Sequence, residues 1–249
     1  MRINESTTLA GDKVVLKPYR RSHVPQYHEW MRDPAVREAT ASEELSLEQE
    51  YEMQASWRID DDKLTFIIHR RDPSVDPHSP TFLAAHDNSS MIGDVNIFLS
   101  SETPPSSDAE DEEPAAAVPS SLSTSPSTII KPPPAADTRR AEVEIMLAPL
   151  PARRQGFALS TLRLFLLYAS RTLNLPPSAF FARIGTANTG SIALFEKLGF
   201  KKGKVVEVFQ ELEMNWGGKE GEGFGWEGKE EYVPLDDPAE ELQQPEAQS

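Results

Sequence analysis

Cysteine is absent from this 249-residue chain. That excludes disulfides, thiolate metal sites and a cysteine nucleophile. Histidine is scarce: the five present are scattered, with no His-x-x-x-His pair, so no metal is expected. No run of about 18 apolar residues occurs, and no membrane partner is expected. The opening Met1-Arg2-Ile3-Asn4-Glu5-Ser6 lacks the apolar core of a signal peptide, so the expectation is a soluble protein of the cytoplasm or nucleus. Basic charge is also short, with 25 Lys and Arg against 40 Asp and Glu and a net charge of -15. The acidity is local. Residues 101–137 hold seven acids and one lysine, and residues 217–249 hold ten acids and two lysines. These segments carry -6 and -8, leaving -1 for the rest of the chain. A broad basic face for nucleic acid is therefore not expected.

Residues 101–137 are rich in Ser, Pro, Ala and acids, including Asp111-Glu112-Glu113 and Pro132-Pro133-Pro134. Such a composition buries too little apolar surface to offset its ordering entropy. Strand-like segments flank it, so it reads as a disordered insertion within one domain. The segment 217–249 begins Gly217-Gly218, ends in Glu, Gln and Pro, and reads as an acidic, mostly disordered tail. Phe224, Trp226, Tyr232 and Val233 are the residues in it able to dock onto the core. The remaining 180 or so residues suffice for one substantial core, and the single domain is placed at 1–216.

Within that domain, strands are expected at Val14–Leu16, Leu64–His69, Met91–Leu99, Glu142–Leu147 and Ala179–Ile184, then at Lys204–Val208 and Glu211–Trp216. Helices are expected at Val24–Met31, after the capping box Ser46-Leu47-Glu48-Gln49, and over Ser191–Leu198. A long helix follows Ala158, where Leu159, Leu162, Leu166, Ala169 and Leu173 recur at three-and-four spacing. The fold class is α/β, with a mixed central sheet of six to seven strands flanked by four helices.

The richest stretch is Arg153-Arg154-Gln155-Gly156-Phe157-Ala158, between the alternating strand Glu142–Leu147 and the long helix. A glycine in the last turn before a helix lets backbone approach a ligand closely, and the first helical amides have no intrahelical partner. With the helix dipole and two arginines, the place suits a pyrophosphate. An ordinary connection with solvated arginines fits the same residues. The pattern lacks the three glycines of a dinucleotide fingerprint and the Gly-Lys-Ser/Thr of a P-loop.

Arg153-x-x-Gly156-x-Ala158 resembles the acetyl-coenzyme A pyrophosphate motif of the GNAT acetyltransferase superfamily. Asn188-Thr189-Gly190-Ser191-Ile192-Ala193-Leu194-Phe195-Glu196-Lys197-Leu198-Gly199-Phe200 resembles its second motif, an Asn before a helix ending in Leu-Gly-Phe. Thr40-Ala41-Ser42-Glu43, Leu45 to Tyr51 and Met91-Ile92-Gly93-Asp94-Val95-Asn96 are similar to one branch, the N-acetyltransferase 9-like proteins, near the ribosomal-protein N-terminal acetyltransferases. The resemblance covers roughly residues 1–100 and 138–216.

It implies acetyl-CoA as co-substrate and direct transfer of acetyl to an amine of a protein or peptide. It implies cofactor contacts from Met146, Leu147 and Ala148 on the pantetheine arm and from Arg153, Arg154, Gln155, Gly156, Phe157 and Ala158 on the pyrophosphate. Asn188, Ser191 and Phe195 complete the set, with Asn188 either touching the cofactor or capping its own helix. Glu142 and Glu144, two residues apart on a strand, share one face and are the candidate bases. The alternative is that one of them orients a loop or pairs with Arg139 or Arg140. Many superfamily members carry a Tyr where Phe195 stands, as general acid to the leaving thiolate; a Phe has no proton to give. Asp94 and Asn96 are candidates for polar groups on the substrate side or for strand-end pairing. Phe195 and the acidic segments also fit a second reading, a catalytically weak GNAT-fold scaffold that binds a protein. Oligomeric state stays open.

Overall fold

The computed structural model describes residues 1–101, 139–219, 221–226 and 232–237. Nine strands form one sheet: Thr7–Ala10 (β1), Val14–Pro18 (β2), Lys63–Arg70 (β3), Met91–Ser101 (β4), Arg139–Leu147 (β5), Phe180–Gly185 (β6), Phe200–Val206 (β7), Glu211–Trp216 (β8) and Val233–Asp236 (β9). Their spatial order is β7-β8-β6-β5-β4-β3-β2-β1-β9. Every neighbouring pair is antiparallel except β5 and β6, so the sheet is mixed, as expected.

Two strands exceed the expected seven, and both arise from segments without a strong alternating signal. β1 is four residues long and pairs with β2 as a hairpin. β9 lies in the segment assigned to a mostly disordered tail, yet pairs with β1 from Thr7↔Asp236 to Ala10↔Val233. Asp237 fastens it, with an ion pair to Arg20 at 3.0 Å and a hydrogen bond accepted from Thr8 Oγ1 at 2.6 Å. Upstream, Phe224 and Trp226 stack at 4.9 Å and meet the Trp216 ring edge-on at 5.0 and 5.6 Å. The fold therefore continues past Trp216. These aromatic rings bury area enough to hold a polar, glycine-rich segment in place. The expected insertion at 101–137 lies, beyond Ser101, outside the described residues. Its ends are fixed: Ser101 closes β4 and pairs directly with Arg139, which opens β5.

Among the described residues, six α-helices pack with the sheet: Val24–Met31 (α1), Pro34–Ala39 (α2), Leu47–Ile59 (α3), Phe82–Ala85 (α4), Phe157–Leu173 (α5) and Thr189–Leu198 (α6). The capping box forms as read, with Ser46 Oγ accepting from the Gln49 amide at 3.2 Å and Gln49 Oε1 accepting from the Ser46 amide at 2.8 Å. α5 buries more than one stripe. Leu162, Phe165, Leu166 and Ala169 are fully buried, and Leu164 and Leu167 nearly so, because the sheet lies beneath and Trp226 and Tyr232 cover another side. Truncating one of these leucines to alanine costs about 2–5 kcal/mol. Strand alternation divides the sheet between two layers. Val95, Ile97 and Val143 face the α5 side; Ile67, Met146 and Met91 face Tyr19, Tyr27 and Met31 on the α1–α3 side. No helix among the described residues is long and apolar enough to cross a membrane.

Candidate active site

The one parallel junction splits. β5 and β6 pair only at Ala141↔Phe180 and Glu142↔Phe181, although β5 continues to Leu147 and β6 to Gly185. From Val143 to Leu147 the β6-facing edge of β5 thus has no strand partner, and its backbone groups can pair with an extended ligand as an added strand would. On the other side β4 crowds β5. A Cβ added at Gly93 would lie 1.9 Å from the Met146 carbonyl oxygen, so only glycine permits this approach. Met146 and Ala148 are buried, and the Ala148 amide already donates to Ile92 O at 3.1 Å.

The split opens toward the turn before α5. Arg154 (φ 63°) and Gly156 (φ 84°) both adopt left-handed backbone, and the strand-to-helix reversal needs both. Gly156 is the N-cap of α5 and offers no side chain to the first helical amides. The amides of Phe157, Ala158 and Leu159 precede the first intrahelical bond, which Ser160 donates to Gly156 O. Arg153 turns back instead of outward: its Nε donates to Leu147 O at 2.9 Å and an Nη to Ala148 O at 3.4 Å, tying the end of β5 to the turn. Gln155 donates to Pro151 O. Arg154 is exposed. A third cation arrives from the β1–β2 hairpin, where Lys13 Nζ donates to Gln155 O at 3.1 Å. Free amides, helix dipole and cations make a receptor for a phosphate or pyrophosphate.

At the start of α6, Asn188 Oδ1 accepts from the Ser191 amide at 3.0 Å, so the asparagine caps its helix and its side-chain NH2 has no protein partner among the described residues. Phe195 is 2% exposed and packs edge-on against Phe200 at 5.1 Å. It sits within the core, not on an open wall.

The carboxylates gather on the α1–α3 side. Glu142 lies opposite Phe98 and Glu144 opposite Asn96 across the β4–β5 ladder. Glu142 is held by Arg183 at 2.7 Å; Arg140 reaches Asn215 and Glu213 and acts on Glu142 through its charge. Burial pushes the Glu142 carboxyl up, and Arg183 opposes that rise. Glu144 reaches solvent, and no hydrogen bond or ion pair engages its carboxylate among the described residues. Neighbouring atoms still withdraw water, and Glu142, Asp94 and Glu211 repel it; together they raise its carboxyl to about 7. Asp94 is 2% exposed and pushed up by desolvation to about 7, with the Asn96 hydrogen bond opposing. Of the two carboxyls, Glu144 stands on β5 and reaches solvent, while Asp94 is buried on β4 diagonally across the ladder; a carboxyl at about 7 in Glu144's place is equipped to take and return a proton.

Sequence reasoning missed Lys13, which lies 142 residues from its partner Gln155, and Arg183. It missed Tyr27 as well, a buried ring near Asp94 and Glu144 whose hydroxyl is raised by burial and by both acids. Asp94 was legible, with Asn96, as a polar group within a mostly apolar strand.

An acetyltransferase (GNAT) domain model matches residues 13–201. The mouse alpha/beta-tubulin-N-acetyltransferase 9 is 38% identical over 215 residues, covering 86% of this chain and 72% of that protein. An N-acetyltransferase 9-like protein of Schizosaccharomyces pombe is 35% identical over 219 residues, covering 86% and 97%. Among solved structures, the spermidine N-acetyltransferase of Vibrio cholerae in complex with CoA and spermine shares the fold, with a TM-score of 0.53 at 16% identity over 81% of this chain and 92% of that one. The chain belongs to the GNAT acetyltransferases and stands among the N-acetyltransferase 9 proteins.

Proposed function

We propose that this enzyme moves an acetyl group from acetyl-CoA directly to an amine of a protein or peptide. The observation that carries the reading is the parting of β5 from β6 beside the cationic turn. An open strand edge suits an amide-bearing arm, and free amides with Arg154 and Lys13 suit its pyrophosphate. When bound, acetyl-CoA supplies a thioester whose C–S bond breaks as a C–N bond forms to the acceptor.

The residues of the chain do the rest. Amides of Gly156 to Leu159 bind the pyrophosphate, and the open backbone edge of β5 that ends at Met146 and Leu147 aligns the arm. The NH2 of Asn188 and the hydroxyl of Ser191, at the start of α6, are assigned further cofactor contacts. Glu144 takes the amine proton, directly or through one water. With its carboxyl at about 7 and an α-amine near pKa 7.7–8.0, that transfer is nearly balanced. Glu142, fixed by Arg183, keeps negative charge beside Glu144. Phe195 donates nothing, so the thiolate departs without a protein acid at that position.

The names of the mouse, fly and human relatives make α/β-tubulin the first acceptor to test. Calorimetric titration with acetyl-CoA should show micromolar binding, about -8 kcal/mol, weakened for dephospho-CoA. Mass spectrometry should then find acetylated tubulin or acetylated peptides with the wild-type protein and far less with Glu144→Gln. No binding at millimolar acetyl-CoA would overturn the reading.

A further inference from the structure

Beneath the loop that joins α2 to α3 lies a cavity of about 220 Å³. Its walls are of two kinds. Tyr27, Met31, Met53 and Trp57 are apolar or aromatic, while Glu43 and Glu50 bring carboxylates. The volume is larger than the 150 Å³ of an engineered cavity that holds benzene, so one long side chain fits. The loop at its mouth is pinned: Arg37 pairs with Glu44 at 3.1 Å and donates to Met31 O at 2.6 Å.

Glu50 is the informative residue. It is 1% exposed, and one carboxylate oxygen has no hydrogen-bond partner among the described residues. The other lies 3.9 Å from His28 Nδ1, a distant contact. A buried polar group left unpaired is costly, and a carboxylate more so. Two of its lining residues lead toward the carboxylates already described. Trp57 meets Phe98 edge-on at 5.9 Å, and Phe98 is the cross-strand partner of Glu142. Tyr27 lies close enough to Glu50, Asp94 and Glu144 for all three charges to act on its hydroxyl.

We infer that this cavity is a subsite for a basic side chain, lysine or arginine, of the acceptor polypeptide. It rests on the acetyltransferase reading above and adds a rule of acceptor choice. The alkyl stem lies along Met31 and Met53, the cation reaches Glu50, and the Tyr27 and Trp57 faces add cation–π attraction. Glu43 stands exposed at the mouth and adds attraction on entry. The methionines let the walls adapt to either cation.

Direct binding tests this without requiring turnover. Peptides with a free amino terminus and lysine, norleucine or glutamate at one near-terminal position in turn are titrated by calorimetry into the full chain saturated with CoA. At one position the lysine peptide should bind at least 10-fold more tightly than norleucine. Glu50→Gln should erase most of that difference while leaving norleucine affinity unchanged, and Glu43→Gln should erase a smaller part. Equal affinity of lysine and norleucine at every position, including no binding of either, overturns the inference. So does equal weakening of both peptides by Glu50→Gln. Spermidine is the remaining arm: binding tighter than any peptide, and lost in Glu50→Gln, would assign the cavity to a free polyamine instead. Acetylation of all peptides without preference would sink the subsite alone, and acetylation of none would sink the transferase reading.

Discussion

Asn96 Nδ2 donates to Asp94 Oδ2 at 2.6 Å, two residues along the same strand, while Asp94 Oδ1 has no hydrogen-bond partner among the described residues. The pair thus gives an almost wholly buried carboxyl half of what its charged form needs. Burial raises the Asp94 carboxyl from 3.8 to about 7. A group whose folded pKa lies above its unfolded value contributes stability that is complete below about pH 4. That contribution is lost as pH rises through 7. Asp94→Asn should therefore stabilise the protein at pH 8 by about 1–3 kcal/mol, the usual worth of relieving an unpaired buried polar group, with little change at pH 4. Denaturant melts at the two pH values check it.

Glu144 works in the opposite sense on rate. As the proton acceptor it must be ionised, so kcat should climb with pH through about 7 and level off above it. Glu144→Gln should lower kcat by roughly 10²–10⁴-fold and flatten that limb, leaving acetyl-CoA affinity near wild type. A pH profile of kcat that keeps its limb in the variant would remove Glu144 from the role.

Lys13 offers a test of the turn that spares the fold. It is exposed, so Lys13→Glu should shift stability by no more than about 0.5 kcal/mol. It reverses a charge beside Gln155 and Gly156. Acetyl-CoA affinity should fall by roughly 10-fold at low salt and by less at high salt, since screening reaches about 10 Å at 0.1 M. Titrations at two ionic strengths read both effects.

Gly93→Ala addresses the spacing of the central strands. The new Cβ would collide with the Met146 carbonyl, and backbone cannot rotate away as a side chain can. We expect a stability loss of about 1–3 kcal/mol together with a raised KM for acetyl-CoA, because β5 must shift. An unchanged melting curve would show that the two strands have room to part.

Much of this was legible in the residues. The three-and-four spacing of α5, the capping box and the Gly-Phe-Ala helix start each have a local cause, and each stands where the spacing placed it. β1 and β9 carried no signal because each is four residues long and owes its state to a partner far along the chain. The tail around Phe224 and Trp226 is polar and glycine-rich on average; both rings stood out as able to dock, but Trp216 as the ring they meet did not. Glu142 and Glu144 were readable as a shared face. That Glu142 answers to Arg183 was not, since the partner sits on a strand whose neighbour is decided only by sheet order. Phe195 shows the reverse: its place in the motif pointed to the cofactor, while the helix turns its ring into the core.

The hairpin of β4 and β5 has two ends with different obligations. At one, Gly93 faces Leu147 and fixes how closely β4 approaches β5 beside the proposed cofactor edge. At the other, about 27 Å away along the strand, Ser101 and Arg139 face each other as a matched pair with Cα atoms about 5 Å apart. Chain can leave and return there at almost one point. A reporter protein with adjacent termini could be spliced between them, and the enzyme would carry it as a passenger on its own scaffold.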